Sequence, residues 1–222
     1  MDTGLLKFLL KQRFVGFEVP SSPHFDSDEA TAWFITKLKG SRKYLEYGTG
    51  GSTYLAAKLG VNFIAVESDP HFLKSLRKKI VRDGFAKASG QTYHYANIGL
   101  TGYWGYPLRS WRASAKRLER FRRYSDPPPE CFEGGTLPDL VLVDGRFRVA
   151  CALKALRMLQ HERGWTIVID DYVTRPQYKA IADFAEIERY VGGRIAVLNA
   201  PKAAINQEQL EIAISRYETA PD

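Results

Sequence analysis

The residues best suited to chemistry form a glycine-rich run, Glu46-Tyr47-Gly48-Thr49-Gly50-Gly51-Ser52-Thr53. Glycines let the backbone turn tightly and approach a ligand closely, and the N-terminus of a following helix offers free N–H groups. Nineteen residues after Gly48, Glu67 stands at the end of a predicted strand, where a carboxylate can accept hydrogen bonds from both hydroxyls of a ribose. Together they predict a site for a ribose-bearing ligand, against the alternative of a glycine-rich turn that binds nothing.

Two features of the run discriminate among ligands that carry a ribose. A dinucleotide site usually needs a third glycine so that the helix can approach the pyrophosphate, and Thr53 takes that place here. Glu46, just before the first glycine, would repel a pyrophosphate but suits a cationic amino group. S-adenosylmethionine (SAM) has a ribose, an adenine and an α-amino group and no phosphate, so the run favours SAM over NAD(P).

Acidic residues end two later apolar runs: Asp144 follows DLVLV, and Asp170-Asp171 follows WTIV and Ile169. Doubly wound folds place ligands at the carboxyl ends of parallel strands, so these three carboxylates are expected to lie together as candidate catalytic residues. They could also bind Mg²⁺ or Ca²⁺ through oxygen. We favour the alternative without metal, in which Asp144 caps the next helix or orients substrate, and in which Arg146 could pair with an acid and displace a cation.

Apolar β-branched runs that alternate with helical patterns predict the elements that hold these residues. Strands are expected at 43–47, 62–67, 91–98, 139–144, 165–170, 194–200 and 209–217, and helices at 52–59, 70–82, 147–161 and 175–190. The last two strands are separated by only eight residues, too few for a helical crossover, so they should be antiparallel. The predicted fold class is α/β: a doubly wound, mostly parallel seven-stranded sheet with a C-terminal antiparallel β-hairpin.

The chain of 222 residues has a net charge of +7, and residues 109–123, with seven basic residues and one acid, carry nearly all of it. A uniformly basic coat is therefore absent, and a nucleic-acid partner is not expected. Two cysteines are too few for a disulfide framework or a four-ligand zinc site, which indicates a reduced, cytoplasmic setting. No apolar run reaches the roughly 18 residues of a membrane span, and the first residues lack the features of a signal peptide.

The basic segment is predicted to be one amphipathic helix over 109–123. Its basic stripe would comprise Arg109, Arg112, Lys116, Arg120 and Arg123, and its docked stripe Trp111, Ala115, Leu118 and Phe121. The basic stripe is interpreted as a solvated face, with a lid for an anionic substrate and a surface for a nucleic acid or an acidic partner left open as alternatives. Candidate substrate contacts are Tyr103 and Trp104 in the preceding aromatic loop, and Arg146 and Tyr172 after later strands.

The runs LEYGTGGST and AVESDP resemble the first two motifs of class I (Rossmann-like) SAM-dependent methyltransferases, over about residues 40–217. The resemblance implies SAM as cofactor, with the glycine loop on its methionine part, Glu67 on its ribose and the end of the third strand on its adenine. The cofactor-binding residues are thus expected to be Glu46, Gly48, Thr49, Gly50, Ser52, Glu67, Asn97, Ile98 and Asp144. The terminal hairpin resembles the sixth and seventh strands of that fold.

We therefore predict one domain over 1–222, with a helical extension at 1–40 and a basic, aromatic insertion at 99–138. The predicted activity is methyl transfer from SAM to a small or medium, possibly anionic, acceptor, at oxygen. The run at 126–129, Asp-Pro-Pro-Pro, lacks the aromatic residue of the motif found in amino-methylating enzymes, which argues against methylation of the exocyclic amines of nucleobases. No Pro-Cys nucleophile is present either, which argues against methylation at carbon 5 of a pyrimidine. Two alternatives remain: an NAD(P)-dependent oxidoreductase, and a non-catalytic SAM- or nucleotide-binding module acting through its basic helix.

Overall fold

A computed structural model describes residues 3–222 of the chain. The strands are β1 (Tyr44–Tyr47), β2 (Phe63–Glu67), β3 (Gln91–Tyr95), β4 (Leu140–Val143), β5 (Thr166–Ile169), β6 (Ala185–Val191) and β7 (Ile195–Pro201). The α-helices are α1 (Thr3–Phe14), α2 (Asp28–Gly40), α3 (Gly51–Leu59), α4 (Pro70–Arg82), α5 (Ala115–Ser125), α6 (Arg148–Leu159) and α7 (Gln207–Tyr217). None of these helices is long and apolar enough to cross a membrane.

The seven strands form one sheet in the order β3-β2-β1-β4-β5-β7-β6. Strands β1 to β5 are parallel, whereas β7 runs antiparallel to both β5 and β6. This confirms the predicted fold class. The direction of winding reverses between the central neighbours β1 and β4, so the sheet has its switch point where their carboxyl ends meet. Ligands of doubly wound sheets bind in the crevice at that point.

Side chains alternate between two cores, one on each face of the sheet, with the period of two that a strand imposes. In β1, Leu45 and Tyr47 belong to the core beneath α5, α6 and α7, and Tyr44 belongs to the core beneath α2, α3 and α4. Strands β1, β2, β4 and β5 are buried along their whole length. The loops at their carboxyl ends are therefore carried on a rigid platform.

The C-terminal hairpin exists, but one of its two strands was predicted in the wrong segment. Residues 175–190, predicted as a helix, form a 3₁₀-helix at Pro176–Asp183 and then β6. Residues 209–217, predicted as a strand, lie in α7. There Leu210 and Ile214 are buried while Ile212 is 62% exposed, which is the spacing of a helix face and not of a strand. The expected partner of β7 is thus replaced by β6.

The predicted helix at 109–123 is also divided in two. A 3₁₀-turn spans Ser110–Arg112, and α5 begins only after Ser114, whose side chain caps the helix by accepting from the N–H of Arg117. The predicted burial of the docked stripe is confirmed for Phe121, which is fully buried, but is wrong for Trp111, which is 78% exposed. The break at Ser114 turns Trp111 away from the domain.

The N-terminal residues contain two helices joined by an irregular segment, residues 16–26, which we call the strap. Helix α2 starts at a Ser27 cap, whose hydroxyl accepts from the N–H of Ala30. Within the strap, Val19 and Phe25 are buried in the core beneath α2 to α4. These two anchors fix the strap across the domain. The division into extension, domain and insertion stays a prediction.

Candidate functional site

The glycine loop follows β1 and is shaped by one residue that only glycine suits. Gly48 has φ +92°, a left-handed conformation that costs a non-glycine residue free energy, and it lies against Gly145, just beyond β4. A Cβ atom on Gly50, in contrast, would meet no atom within 4 Å. The loop therefore packs tightly on the strand side and leaves an open space above Gly50, next to the N-terminus of α3.

Glu67 lies at the carboxyl end of β2 and joins it to the glycine loop. Its carboxylate accepts from the N–H and hydroxyl of Thr49 (3.1 and 2.7 Å) and from the N–H groups of Ser68 (2.6 Å) and Asp69 (2.8 Å). Burial raises the pKa of Glu67 while these donors oppose the rise. The carboxylate is thus held in place beside the open space, at the position where a ribose would need an acceptor.

Glu46 is fully buried and points at the first turn of α3. Its carboxylate accepts from the hydroxyl of Ser52 and from that of Thr53 (2.5 Å), and the Thr53 hydroxyl in turn accepts from the N–H of Gly50 (3.1 Å). Burial raises the pKa of Glu46 to about 8. Glu46 therefore acts on the shape of the loop through the hydroxyls of Ser52 and Thr53. A third glycine in place of Thr53 would have no hydroxyl to link Glu46 to the N–H of Gly50.

The two residues expected near an adenine behave differently. Asn97 is exposed, and its side-chain oxygen accepts from the N–H of Gly99 (2.9 Å). Ile98 is fully buried in the core. The guanidinium of Arg117 donates to the carbonyl oxygens of Ile98 (3.0 Å), Leu100 (3.2 Å) and Leu108. One side chain of α5 thus fixes the chain that leaves β3.

Asp69, the N-cap of α4, gathers separate segments at the end of β2. Its carboxylate accepts from the first N–H groups of α4, from the side chain of Gln12 in α1, and at 3.4 Å from the hydroxyl of Thr101. Thr101 begins the aromatic loop, residues 101–107. Helix α1 and the aromatic loop are thereby fastened next to Glu67.

The aromatic loop presents one ring that packs on α1 and one ring that is free. Tyr103 packs on Phe8 with ring centroids 4.3 Å apart and donates to the carbonyl oxygen of Gly4 (3.3 Å). Trp104 is 91% exposed and has φ 58°. A Cβ on the next residue, Gly105, would lie 3.3 Å from the Ser68 hydroxyl. Trp104 therefore projects from a strained position beside the end of β2.

The strap crosses the same edge of the sheet. At one end, the N–H of Phe17 donates to the Ser75 hydroxyl in α4 (3.1 Å). In its middle, the carbonyl of Ser22 lies directly over Gly51. At its far end, the carbonyl of His24 accepts from Arg194 (2.6 Å). The strap thus spans from the glycine loop to the β6–β7 turn and contacts both.

The three carboxylates predicted at the ends of β4 and β5 do lie together, but each is paired with an arginine. Arg148 contacts Asp144 (3.0 Å) and Asp171 (3.1 Å), and Arg194 contacts Asp170 (2.9 Å). Burial and the nearby Asp144 charge raise the pKa of Asp170. Within residues 3–222, no group of three or more His, Cys, Asp and Glu side chains is arranged to hold a metal ion. The donor set does not fit a divalent cation, because a guanidinium lies among the oxygens.

Two candidate substrate contacts lie away from the open edge. Arg146 is 9% exposed; its N–H donates to the Tyr124 hydroxyl (3.2 Å) and its guanidinium to the carbonyl of Asp222. Tyr172 is 5% exposed and packs between the rings of Tyr178 and Tyr190. Of the predicted acids, Asp144 has the most exposed side chain, at 37%.

The structure thus brings the glycine loop, Glu67 and Asp144 to one edge, with Asn97, Tyr103 and Trp104 at its border. Gly145, Arg148, Arg194 and the strap were not predicted from the sequence. One of these had a local clue: Asp144 and Arg148 carry opposite charges only four residues apart, although Asp144 precedes α6. The strap has no comparable sequence signal, since its partners lie far along the chain.

The chain is similar in structure to a methyltransferase-like protein from Silicibacter pomeroyi, with 29% sequence identity and a TM-score of 0.73 over 90% of this chain and 100% of that one. An O-methyltransferase from Bacillus cereus in complex with SAH (13% identity, TM-score 0.44, 90% and 91% covered) and a methyltransferase from Escherichia coli described as putative (17%, 0.46, 86% and 94%) resemble it less. No protein-family model and no curated protein matches the sequence.

Proposed function

We propose, from the premise that the chain belongs to the class I (Rossmann-like) SAM-dependent methyltransferase family, that it binds SAM at the carboxyl ends of β1, β2 and β4 and methylates a small or medium acceptor at oxygen. When bound, SAM supplies an electrophilic methyl group on a sulfonium. The chain's own residues hold that ligand, order the loops around it and provide the acceptor side of the site.

The observation that carries the proposal is the open space above Gly50, whose neighbour Thr49 is bonded to Glu67. A Cβ on Gly50 would have no neighbour within 4 Å, whereas Glu67 presents a fixed, buried carboxylate beside it. A bare backbone at a helix N-terminus next to a strand-end acid is the arrangement expected around a ribose-bearing ligand. Glu67 would accept from the ribose hydroxyls in place of the Thr49 hydroxyl that it holds here. Glu46 would favour a cationic amino group, because a positive charge nearby stabilises the ionised form of a buried carboxyl, and it holds the loop through Ser52 and Thr53.

Oxygen is favoured as the methylated atom because the groups around the acceptor side are carboxylates. Asp144 is the least buried of them and is the candidate to accept a hydrogen bond from an acceptor hydroxyl. Neither cysteine is available as a nucleophile, since both are fully buried, and burial raises the pKa of the Cys131 thiol to about 12. Asp126, in the Asp-Pro-Pro-Pro run, is paired with Lys154 of α6 (2.7 Å), so this run is engaged in a structural contact.

An anionic acceptor is favoured by unpaired charge next to the aromatic loop. Arg109, Arg112, Lys116 and Arg120 form no ion pair with any residue from 3 to 222, while the arginines after them pair with Glu119. Burial and the Asp69 charge raise the pKa of Tyr95, the last residue of β3, and the Arg120 charge opposes that rise. Unpaired cations at the border of a cleft attract anions over a distance of about 10 Å.

Calorimetric titration with SAM, S-adenosylhomocysteine and NADH tests the proposal. We expect SAM and S-adenosylhomocysteine to bind, NADH not to bind, and Glu67→Ala to abolish binding. Glu162→Ala, at an exposed position, is the control and should bind as the wild type does. Preferential NADH binding, or no SAM binding by the folded protein, would refute the proposal. SAM binding without methyl transfer to any member of a broad hydroxyl-bearing acceptor panel would instead favour a non-catalytic module.

A further inference from the structure

Three carboxylates at the ends of β4 and β5, which we call the acidic triplet (Asp144, Asp170 and Asp171), offer the oxygens that a hard divalent cation prefers. In this chain the triplet surrounds a side chain instead of an empty position. Arg148, the first residue of α6, extends between the two strand ends and is only 4% exposed. The centre of the triplet is therefore already occupied by a positive charge that belongs to the protein.

Each nitrogen of the Arg148 guanidinium has an oxygen partner. Nε donates to the carbonyl of Gly145 (3.0 Å), and one terminal nitrogen donates both to the carbonyl of Asp170 (2.8 Å) and to the carboxylate of Asp171 (3.1 Å). The other terminal nitrogen contacts Asp144 at 3.0 Å. A planar guanidinium fixes the directions of such bonds, which a spherical ion does not. Arg148 thus ties the loop after β4 to the loop after β5.

The rest of the cluster completes the charge balance. Arg194 pairs with Asp170 (2.9 Å), and Arg175 reaches Asp171 (3.3 Å). Among these six side chains three acids therefore face three arginines, so their formal charges balance. A divalent cation could enter only by displacing Arg148, which would leave a buried guanidinium without partners, and an unpaired buried charge is strongly unfavourable.

We propose that the guanidinium of Arg148 takes the place of a divalent metal ion in this site: it supplies the fixed positive charge between β4 and β5 and holds the Asp144 carboxylate in position on the acceptor side. Arg148 is a positioning residue, because it acts on Asp144 and does not itself reach the open space. The statement that Asp144 faces an acceptor rests on the proposed function. The statement that an arginine takes the place of a metal ion is independent of it.

The test removes the positive charge of Arg148 and measures whether a cation binds in its place. Arg148→Ala should fold with a lower Tm, by roughly 10 °C, as expected for one broken buried pair in a domain of this size. It should gain affinity for Mn²⁺, measured by electron paramagnetic resonance, and its Tm should rise with Mn²⁺ or with millimolar guanidinium ion. The double variant Arg148→Ala/Asp171→Asn should lose that gain. The wild type should bind no Mn²⁺ and be insensitive to chelators.

Two results would overturn the proposal. One is Mn²⁺ binding by the wild type that Asp144→Asn abolishes. The other is a folded Arg148→Ala protein with no gain in affinity for either cation. If Arg148→Ala does not fold, Arg148→Lys serves instead, because it keeps the charge without the planar fork: it should fold, bind no Mn²⁺ and raise KM for the acceptor while SAM affinity is kept. None of the Mn²⁺ measurements needs SAM, so failure of the proposed function would be seen separately.

Discussion

Gly48 and Gly145 meet backbone to backbone at the switch point of the sheet. A Cβ atom on Gly48 would lie 2.5 Å from the nitrogen of Gly145, closer than real Cβ atoms come to any atom outside their own neighbourhood. The contact exists because β1 and β4 are paired in register up to Tyr47 and Val143, so the residues just beyond them are forced together. Both residues are therefore part of the site although neither carries a side chain.

Gly48→Ala and Gly50→Ala should separate folding from ligand binding. Gly48→Ala forces both an overlap and a left-handed alanine, so we expect a loss of more than about 2 kcal/mol in the free energy of unfolding together with loss of SAM binding. Gly50→Ala has free space around the added methyl, so it should unfold as the wild type does and yet bind SAM at least tenfold more weakly, because the methyl occupies the ligand's space.

The control for backbone strain alone is Gly84→Ala, at φ +78° with no atom near the added methyl. It should cost only about 1–2 kcal/mol, as expected for a left-handed alanine, and leave SAM binding intact. Urea unfolding and calorimetry measure both quantities. Equal SAM affinity of Gly50→Ala and the wild type would contradict the placement of the ligand above Gly50.

Glu46→Gln should make the protein more stable at alkaline pH. The pKa of Glu46 is about 8 in the folded state and about 4.3 in an unfolded chain. Between these values the folded state holds a proton that the unfolded state has released, so stability falls as the pH rises towards 8. Glutamine keeps the shape and does not titrate. The variant should exceed the wild type by about 1–4 kcal/mol above pH 8 and bind SAM more weakly.

Urea unfolding at a series of pH values between 4 and 9 measures this difference. Every other titrating group is shared by the two proteins, so the difference between their curves isolates Glu46. Glu162→Gln, on the surface, should follow the wild type throughout. Parallel curves for Glu46→Gln and the wild type would show that Glu46 is ionised in the folded protein across this range.

Arg117→Lys should loosen the chain between β3 and α5. A lysine has one nitrogen and cannot reach the carbonyls of Ile98, Leu100 and Leu108 together. We expect faster chymotrypsin cleavage in the aromatic loop and a raised KM for the acceptor, with α5 itself intact because Ser114 still caps it. Lys116→Ala, next to it and exposed, should leave the cleavage rate unchanged. An unaltered rate in Arg117→Lys would mean that other contacts hold the loop.

Gly51→Ala should displace the strap without harming the helix that it covers. Alanine is a better helix former than glycine, but its Cβ would overlap the carbonyl of Ser22 and lie 3.0 Å from the nitrogen of Pro23. Hydrogen exchange should increase across residues 16–26 and stay low in α3. Gly40→Ala, in α2 with open space around it, is the matched control. Unchanged protection of the strap in Gly51→Ala would refute the packing described here.

Arg112→Glu/Lys116→Glu should weaken capture of an anionic acceptor. We expect KM for the acceptor to rise about tenfold, equivalent to roughly 1.4 kcal/mol, with SAM affinity and kcat kept. The wild-type KM should itself rise with salt, because exposed charges are screened. Lys58→Glu, on the surface of α3, changes the net charge without touching this face. If all three proteins share one KM, the stripe is a solvated face and nothing more.

The parts of this molecule that the sequence predicted are those set by local rules. A glycine turn between a strand and a helix, an aspartate cap followed by proline at α4, and buried β-branched runs can each be read within a few residues, and they fix β1 to β5. The error at 209–217 has a physical reason: Leu210, Ile212 and Ile214 alternate as a strand would, but in the helix Ile212 is simply left in solvent.

The true hairpin did have a signal, in Gly192-Gly193 between two alternating runs, the residue type that tight hairpin turns require. The role of Arg148 could not be read in the same way. Its partners include residues after β5, and only the pairing of β4 with β5 brings them to it. The sequence shows which residues are charged, but which of them pair across the sheet depends on how the strands are paired in the folded protein.

The strap has a consequence for how the protein assembles. The N–H of Gly193 donates to Asp26 of the strap, and the side chain of Arg194 donates to the carbonyl of His24. These bonds join residues 167 and 170 positions apart, so they close some of the longest loops in the chain. We expect contacts of that kind to form late during folding, because the chain entropy must be lost before they contribute. On that order the sheet would be complete before the strap docks, and stalled folding would leave a molecule with native strands and an unfinished site.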